Sequence, residues 1–306
     1  MAPDLADELR DRGALIFPNI PDLPFNPYRG DLYTADELYD LLDAGYEGTY
    51  DALVYAWHQR THPTAAGGCS MHDTLAMALH DNSIDDALAE YLAGRRVVGV
   101  MGGHAITRGE SAYTQTAKLA RGLAARGCTV ATGGGPGLME AANLGARCPD
   151  DATVEEAVAH LAAVPDFRPS ITAWAQRARE LDLPDTGLSL GIPTWFYGHE
   201  PPNLFSSAAA KYFRNALRED TLLRSCNAGI VVMPGAAGTV QEIFQDACEN
   251  YYAADGNTAP MVLVGREHWT AELPAWPLLD RLLGDRGVIH LADSPEEALR
   301  LLGDEG

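Results

Sequence analysis

Residues 129–147, TVATGGGPGLMEAANLGAR, decide the fold. A short apolar segment, Thr129 to Thr132, runs into the glycine-rich turn Gly133-Gly134-Gly135-Pro136-Gly137. From Leu138 to Arg147 the apolar residues fall at helical spacing. A strand buried on both faces reads as such a continuous apolar run, not as an alternation. Upstream, Val97-Val98-Gly99-Val100-Met101 is a second run, closed by Gly102-Gly103. It is followed over 110–126 by Tyr113, Ala117, Leu119, Ala120 and Leu123 at helical spacing, with Gly127 as the stop. Further apolar runs occur at 187–192, 229–233 and 261–264, with a last candidate at 288–290. Strands alternating with helices predict an α/β chain, with a doubly wound, mainly parallel Rossmann-like sheet.

The sequence has 306 residues, enough for one large α/β domain with an extension, or for two domains of roughly 150 residues each. Residues 1–95 read differently from the rest. They carry turn-rich aromatic stretches and short helical patterns around 34–45 and 71–93, with no strand pattern. The expected organisation is a helical and irregular extension over 1–95, then a Rossmann-like nucleotide-binding domain over 96–306. Residues 151–183, charged and helical in pattern, are expected as a helical insertion.

Twenty-two basic against 43 acidic residues give a net charge of −21. That excludes a general nucleic-acid binder, which needs a basic face to displace counterions. A small anion remains possible, because a helix N-terminus with one or two arginines can hold a phosphate locally. Five scattered cysteines without a CxxC pair point to reduced thiols and a cytoplasmic location. The charged start MAPDLADELRDRG lacks the apolar core of a leader. No run of about 18 apolar residues occurs, so no membrane partner is expected.

Two glycine-rich strand-to-helix turns could carry chemistry. The first is 132–141. Its glycines allow close backbone approach to a phosphate and equally suit a plain tight turn. Its spacing is neither GxGxxG nor a Walker A motif. The second is Met233-Pro234-Gly235-Ala236-Ala237-Gly238-Thr239-Val240-Gln241-Glu242. Thr239 could cap the following helix. Glu242 is expected in its first turn, either as a functional carboxylate or as a capping residue. Both turns lie at strand carboxyl ends, where open α/β sheets bind ligands, as do Gly103, His104 and Ile192-Pro193. Arg214, Arg218 and Arg224 precede the second turn.

GGGPGLMEAANLGA and PGAAGTVQE resemble the paired GGGxxGLM and PGGxGTxxE motifs of the LONELY GUY (LOG) family, often mislabelled lysine decarboxylases. Gly102-Gly103-His104 and Glu200-Pro201-Pro202-Asn203 are similar to segments of larger bacterial relatives, the pyrimidine/purine nucleotide 5′-monophosphate nucleosidases. The resemblance covers roughly residues 95–265. It implies hydrolysis of the N-glycosidic bond of an AMP-like nucleoside 5′-monophosphate to free base and ribose 5-phosphate, without a cofactor, by a homo-oligomer. It further implies that Gly134, Gly135, Gly137, Gly235, Gly238 and Thr239 bind the nucleotide, together with Gly103, His104, Met139 and Glu140. Glu242 matches the catalytic glutamate. The catalytic arginine would stand about 15 residues before Pro234, where this chain has Glu219. The role is assigned to the adjacent Arg218. Ala236 replaces the second glycine of PGG, and Gln241 replaces an acidic residue often found before the glutamate. These departures leave a rival: a non-catalytic nucleotide or molybdenum-cofactor carrier on the same fold. A third reading is an interaction protein with a vestigial pocket.

Other residues carry less. His58, His62, Cys69 and His72 lack a compact ligand quartet, and Pro63 interrupts them, so no metal is expected. Trp195, Phe196 and Tyr197 could stack on a base or pack between subunits. No GxSxG triad signature is present. Pyridoxal chemistry needs a lysine. Of the two present, Lys118 falls mid-helix, and Lys211 is expected on a helix with no supporting motif.

Overall fold

The structure is a computed structural model that describes residues 3–13, 20–61, 69–254 and 258–303. Its elements run α1 (Pro3–Asp11), α2 (Ala35–Leu38), α3 (Tyr50–Thr61), α4 (Met71–Leu92), β1 (Val97–Met101), α5 (Ser111–Ala125), β2 (Thr129–Thr132), α6 (Leu138–Arg147), α7 (Asp151–Leu161), α8 (Ile171–Arg179), β3 (Ser189–Gly191) and β4 (Ala208–Ala209). Then come α9 (Asn215–Ser225), β5 (Ile230–Val232), α10 (Ala237–Tyr252), β6 (Met261–Val264), α11 (Trp276–Leu283), β7 (Ile289–Ala292) and α12 (Pro295–Leu301). The seven strands form one sheet in the order β4-β3-β2-β1-β5-β6-β7. Every pairing is parallel. The chain winds outward from β1 to β4, returns to place β5 beside β1, and winds outward again. This is the Rossmann-like architecture expected from the apolar runs.

Strand alternation divides the core between the two faces. Val97 and Met101 pack with Ala131, Leu190, Ile230 and Leu263. Val98 and Val100 pack with Val130, Val231 and Val262 under Leu119, Leu123 and Leu138. The first of these clusters also takes in Phe25, Tyr33, Leu38, Val54, Trp57 and Ile84, so α2, α3 and α4 share a core with the sheet. Their tightest polar joint is the Asp51–Lys211 pair, in which both side chains are fully buried. Trp195 Nε1 donates to the same Asp51 carboxylate at 2.9 Å, and Tyr46 OH donates at 2.8 Å.

The order reverses between β1 and β5, which puts the crevice at their carboxyl ends. The neighbouring helices approach closely enough that a Cβ on Gly145 of α6 would stand 1.9 Å from the Ala117 carbonyl oxygen of α5. Gly145→Ala is therefore expected to force α5 and α6 apart. It should cost at least the roughly 1–3 kcal/mol typical of overpacking, read as a lower denaturation midpoint at unchanged m-value.

Three details differ from expectation. The two-residue β4 has no apolar run to announce it. α3 buries Asp51, Val54, Trp57 and His58, so polar residues occupy its inward stripe and hide the periodicity. Lys211 lies in the extended segment after β4, not on a helix. It is wholly buried and held by Asp51.

Candidate active site at the sheet switch point

The first glycine turn is held from below by a buried polar network. Thr132 Oγ1 donates to Asn143 Oδ1 at 2.7 Å and accepts from the Gly134 N–H at 2.9 Å. Asn143 Nδ2 donates to Ser189 Oγ and to the Leu190 carbonyl. Asn203 Nδ2 donates to Asn143 Oδ1 and to the Gly135 carbonyl. Every amide group in this set has a partner, which fixes the turn's shape. Asn143 and Asn203 were not singled out from the sequence. The only hint was that each sits inside a motif segment.

Gly137 has φ +74°, and a Cβ there would meet the His104 and Gly103 carbonyl oxygens at 2.6 and 2.7 Å. Only glycine tolerates both conditions. Gly103 ties the two turns together: its N–H donates to the Pro234 carbonyl, and its carbonyl accepts from the Leu138 N–H. Gly103 is thus a strut, and its N–H is not available to a phosphate.

Glu140, expected at the nucleotide, is corrected. Both its oxygens are taken by Arg108, with Nε at 3.0 and 3.2 Å, and the pair is 1% exposed. Arg108 also donates to the Val164 and Trp174 carbonyls. This ion pair locks α6 to the α7–α8 region. An anion would meet only a neutralised, buried carboxylate there.

At the second turn, α10 begins at Ala237 with Ala236 as its cap and no side-chain capping hydrogen bond. Thr239 is therefore the third helical residue, not the cap. Its buried hydroxyl lies over Gly235, where a Cβ would stand 2.2 Å from Oγ1. Gly238 faces open space. The first N–H groups of a helix have no partner within it and form a positive anion-binding end. Glu242 lies in the second turn of α10, past the position of a capping glutamate. The capping interpretation therefore falls.

Of the three arginines, the structure brings Arg218 alone to this turn region. Arg214 and Arg224 are exposed, and Arg224 pairs with Asp220. Arg218 Nε donates to the Ile192 carbonyl at 2.7 Å and Nη2 to the Gly133 carbonyl at 3.3 Å. Its Nη1 stands 3.9 Å from Glu242 Oε1, with the side chains 11% and 16% exposed. Burial pushes the Glu242 carboxyl up to about 7; Arg218 pulls it down and Glu219 adds to the rise. Glu219 itself accepts from Asn215 Nδ2 at 2.7 Å and from Gln241 Nε2 at 2.6 Å. Glu219 and Gln241, two of the three departures noted in the sequence, thus meet in one hydrogen bond, while the guanidinium comes from the preceding residue.

Met139 covers the first turn, with Sδ near Gly133 and Cε near Gly135. His104 is 60% exposed, with Nε2 3.7 Å from Glu200 Oε1. Trp195 is fully buried and donates to Asp51, so it is not placed to stack on a ligand. Phe196 and Tyr197 are exposed. His62 lies outside the described residues. Among the described residues there is no group of three or more metal-capable side chains, and no helix long and apolar enough to cross a membrane.

No curated protein matches this chain. Three similar solved structures each cover 68% of it. The structural-genomics target TM1055 is 22% identical, covered over 98% of its length, with a TM-score of 0.45. The molybdenum cofactor binding protein of the phototrophic bacterium Rippkaea orientalis is 18% identical, covered over 95%, with a TM-score of 0.44. The Moco carrier protein of Chlamydomonas reinhardtii is 20% identical, covered over 97%, with a TM-score of 0.43. Residues 95–154, which hold β1, β2 and the first glycine turn, match the SLOG cluster4 family.

Proposed function

We propose that the protein hydrolyses the N-glycosidic bond of a nucleoside 5′-monophosphate. The observation that carries this reading is the meeting of Arg218 and Glu242 at the sheet's switch point, 3.9 Å apart and largely withdrawn from water, with Glu242 on α10, whose open N-terminus suits a phosphate. In this reading the N–H groups of 237–239 and the Thr239 hydroxyl take the 5′-phosphate, with Gly134, Gly135 and Gly137 shaping the wall beside it. Glu242, as carboxylate, steadies the positive charge growing on C1′ and orients the attacking water, as carboxylates do in glycoside hydrolysis. Water adds to C1′, the C–N bonding pair leaves with the base, and a proton completes the released base. Arg218 is oriented by two backbone carbonyls towards the reacting sugar.

The sheet from residue 96 onward is read as the nucleotide-binding unit, with the first 95 residues attached to it. Tyr252 at 80% exposure and Leu278 at 54% fit the apolar contact of a homo-oligomer. The test is incubation with a panel of purine and pyrimidine monophosphates. Free base and ribose 5-phosphate are expected. Folded protein that releases no base from any of them overturns the reading. The Ala236 departure at the cap of α10 favours the rival of a non-catalytic carrier, for which a ligand copurifying intact would speak.

A further inference from the structure

A cleft of about 360 Å³ opens between three loops, within the size range of ligand pockets. His104 comes from the β1–α5 loop, Phe167 and Arg168 from the α7–α8 connection, and His199 and Glu200 from the β3–β4 connection. Three of these side chains were expected neither as ligand contacts nor as part of one site with the glycine turns: His199, and Phe167 and Arg168 of the helical insertion.

The cleft neighbours the proposed active site, and a short series of adjacent residues leads from one to the other. Glu242 faces Arg218, and Arg218 touches Gly133. Met139 bridges Gly133 and Gly135, and a Cβ on Gly135 would lie 4.0 Å from Glu200 Oε2. The order along this track is the α10 N-terminus, then the Glu242–Arg218 pair, then Glu200. A nucleotide lying along it would place phosphate, sugar and ring in that sequence. A carboxylate at the far end repels phosphate, which fixes the direction.

Glu200 is poised to accept hydrogen bonds. Among the described residues its carboxylate takes part in no hydrogen bond. The imidazole Nε2 atoms of His104 and His199 stand 3.7 and 4.0 Å from its Oε1. Arg168 pairs with Asp166 and also feels the Glu200 carboxylate. An ionised carboxylate is acceptor-only, with two oxygens that suit a pair of adjacent donors. Guanine and pterin present such a pair, a ring N–H beside an exocyclic amine. Adenine and cytosine present a ring nitrogen lone pair at that place, which a carboxylate repels. The two imidazoles supply donors for a ring carbonyl, and Phe167 supplies an aromatic face.

We infer that Glu200 reads the 2-amino-4-oxopyrimidine edge of a guanine-type ring, held in the cleft against Phe167. The inference rests on the nucleotide track proposed above for its orientation, not on the hydrolysis. The shared ring chemistry has two sources, a guanine nucleotide or a pterin.

The test is calorimetric titration of the full chain, in the Glu242→Gln background to prevent turnover, with GMP, IMP, AMP and 6-hydroxymethylpterin. GMP is expected to bind roughly tenfold or more tightly than AMP, and more tightly than IMP, which lacks the amine. Glu200→Gln should weaken GMP about tenfold and leave AMP within twofold. The GMP-to-IMP comparison needs no change at Glu200, so it stands even if that variant misfolds. Equal affinity for GMP and AMP, an equal loss for all nucleotides in Glu200→Gln, or binding of neither GMP nor the pterin overturns the inference. Binding of the pterin without GMP assigns a pterin as the source; binding of GMP assigns the nucleotide. A GMP preference without base release by the unmodified chain keeps the inference and removes hydrolysis alone.

Discussion

Glu242→Gln is expected to lower base release by roughly a thousandfold, the scale of losing a positioned carboxylate that acts in the transition state. Nucleotide binding should remain. The unmodified protein should show a rate that climbs with pH and levels off above about 7, because burial holds the Glu242 carboxyl up to about that value. At pH 5 only about one molecule in a hundred would carry the carboxylate. The Gln variant should show no such rise. The sign for stability runs opposite to that for activity. The folded state keeps the proton to higher pH than the unfolded chain does, so ionisation destabilises the fold as pH passes from the ordinary glutamate range through about 7. Glu242→Gln should therefore melt at or above the unmodified protein at pH 8, and level with it at pH 5. A variant that retains a tenth of the rate, or an unmodified rate flat from pH 5 to 8, removes Glu242 from the mechanism. The site then combines a carboxyl that costs stability with the function that requires it charged.

Legibility in the sequence followed physical type. The central strands could be read because each is buried on both faces and so is a plain apolar run. The glycine turns could be read because positive φ and close backbone contact restrict the residue, as at Gly137. Arg218 was within reach only through the resemblance, which implies an arginine near position 219; the structure brings it to 3.9 Å from Glu242. The sequence could not show that Glu219 would be absorbed by Asn215 and Gln241, since that depends on the packing of α9 against α10. Glu140 misled for a related reason. It sits inside the first glycine-rich motif, yet its partner Arg108 is 32 positions away in the chain, and only the fold brings them together. The same holds for the cleft at Glu200, whose walls come from three distant loops.

Asp51→Ala should be the most damaging change outside the crevice. It leaves Lys211 as a buried ammonium without its partner, and Trp195 Nε1 and Tyr46 OH without their acceptor. Breaking one side of such a buried pair costs about 3–5 kcal/mol, which corresponds to a melting point lower by on the order of 10 °C. Burial already lowers the Lys211 pKa, while Asp51 raises it; without Asp51 the fall is larger. The unfolded chain then binds the proton more readily than the folded one, so stability should recover as pH rises towards the ordinary lysine value. Lys211→Met should cost less, because Asp51 keeps two donors. The double change Asp51→Ala with Lys211→Met should cost less than the sum of the two, since no charge is left stranded. Losses that simply add, or a melting point indifferent to pH in Asp51→Ala, would show that the pair is not the joint described here. The consequence reaches the crevice. Trp195 lies just after Ile192, the acceptor for Arg218 Nε, and Pro193, the ring packed under Gly134, so its anchorage to Asp51 steadies that end of the segment after β3. Loosening α3 from this segment should therefore blunt turnover below the melting point, through Arg218, while leaving Glu242 in place on α10.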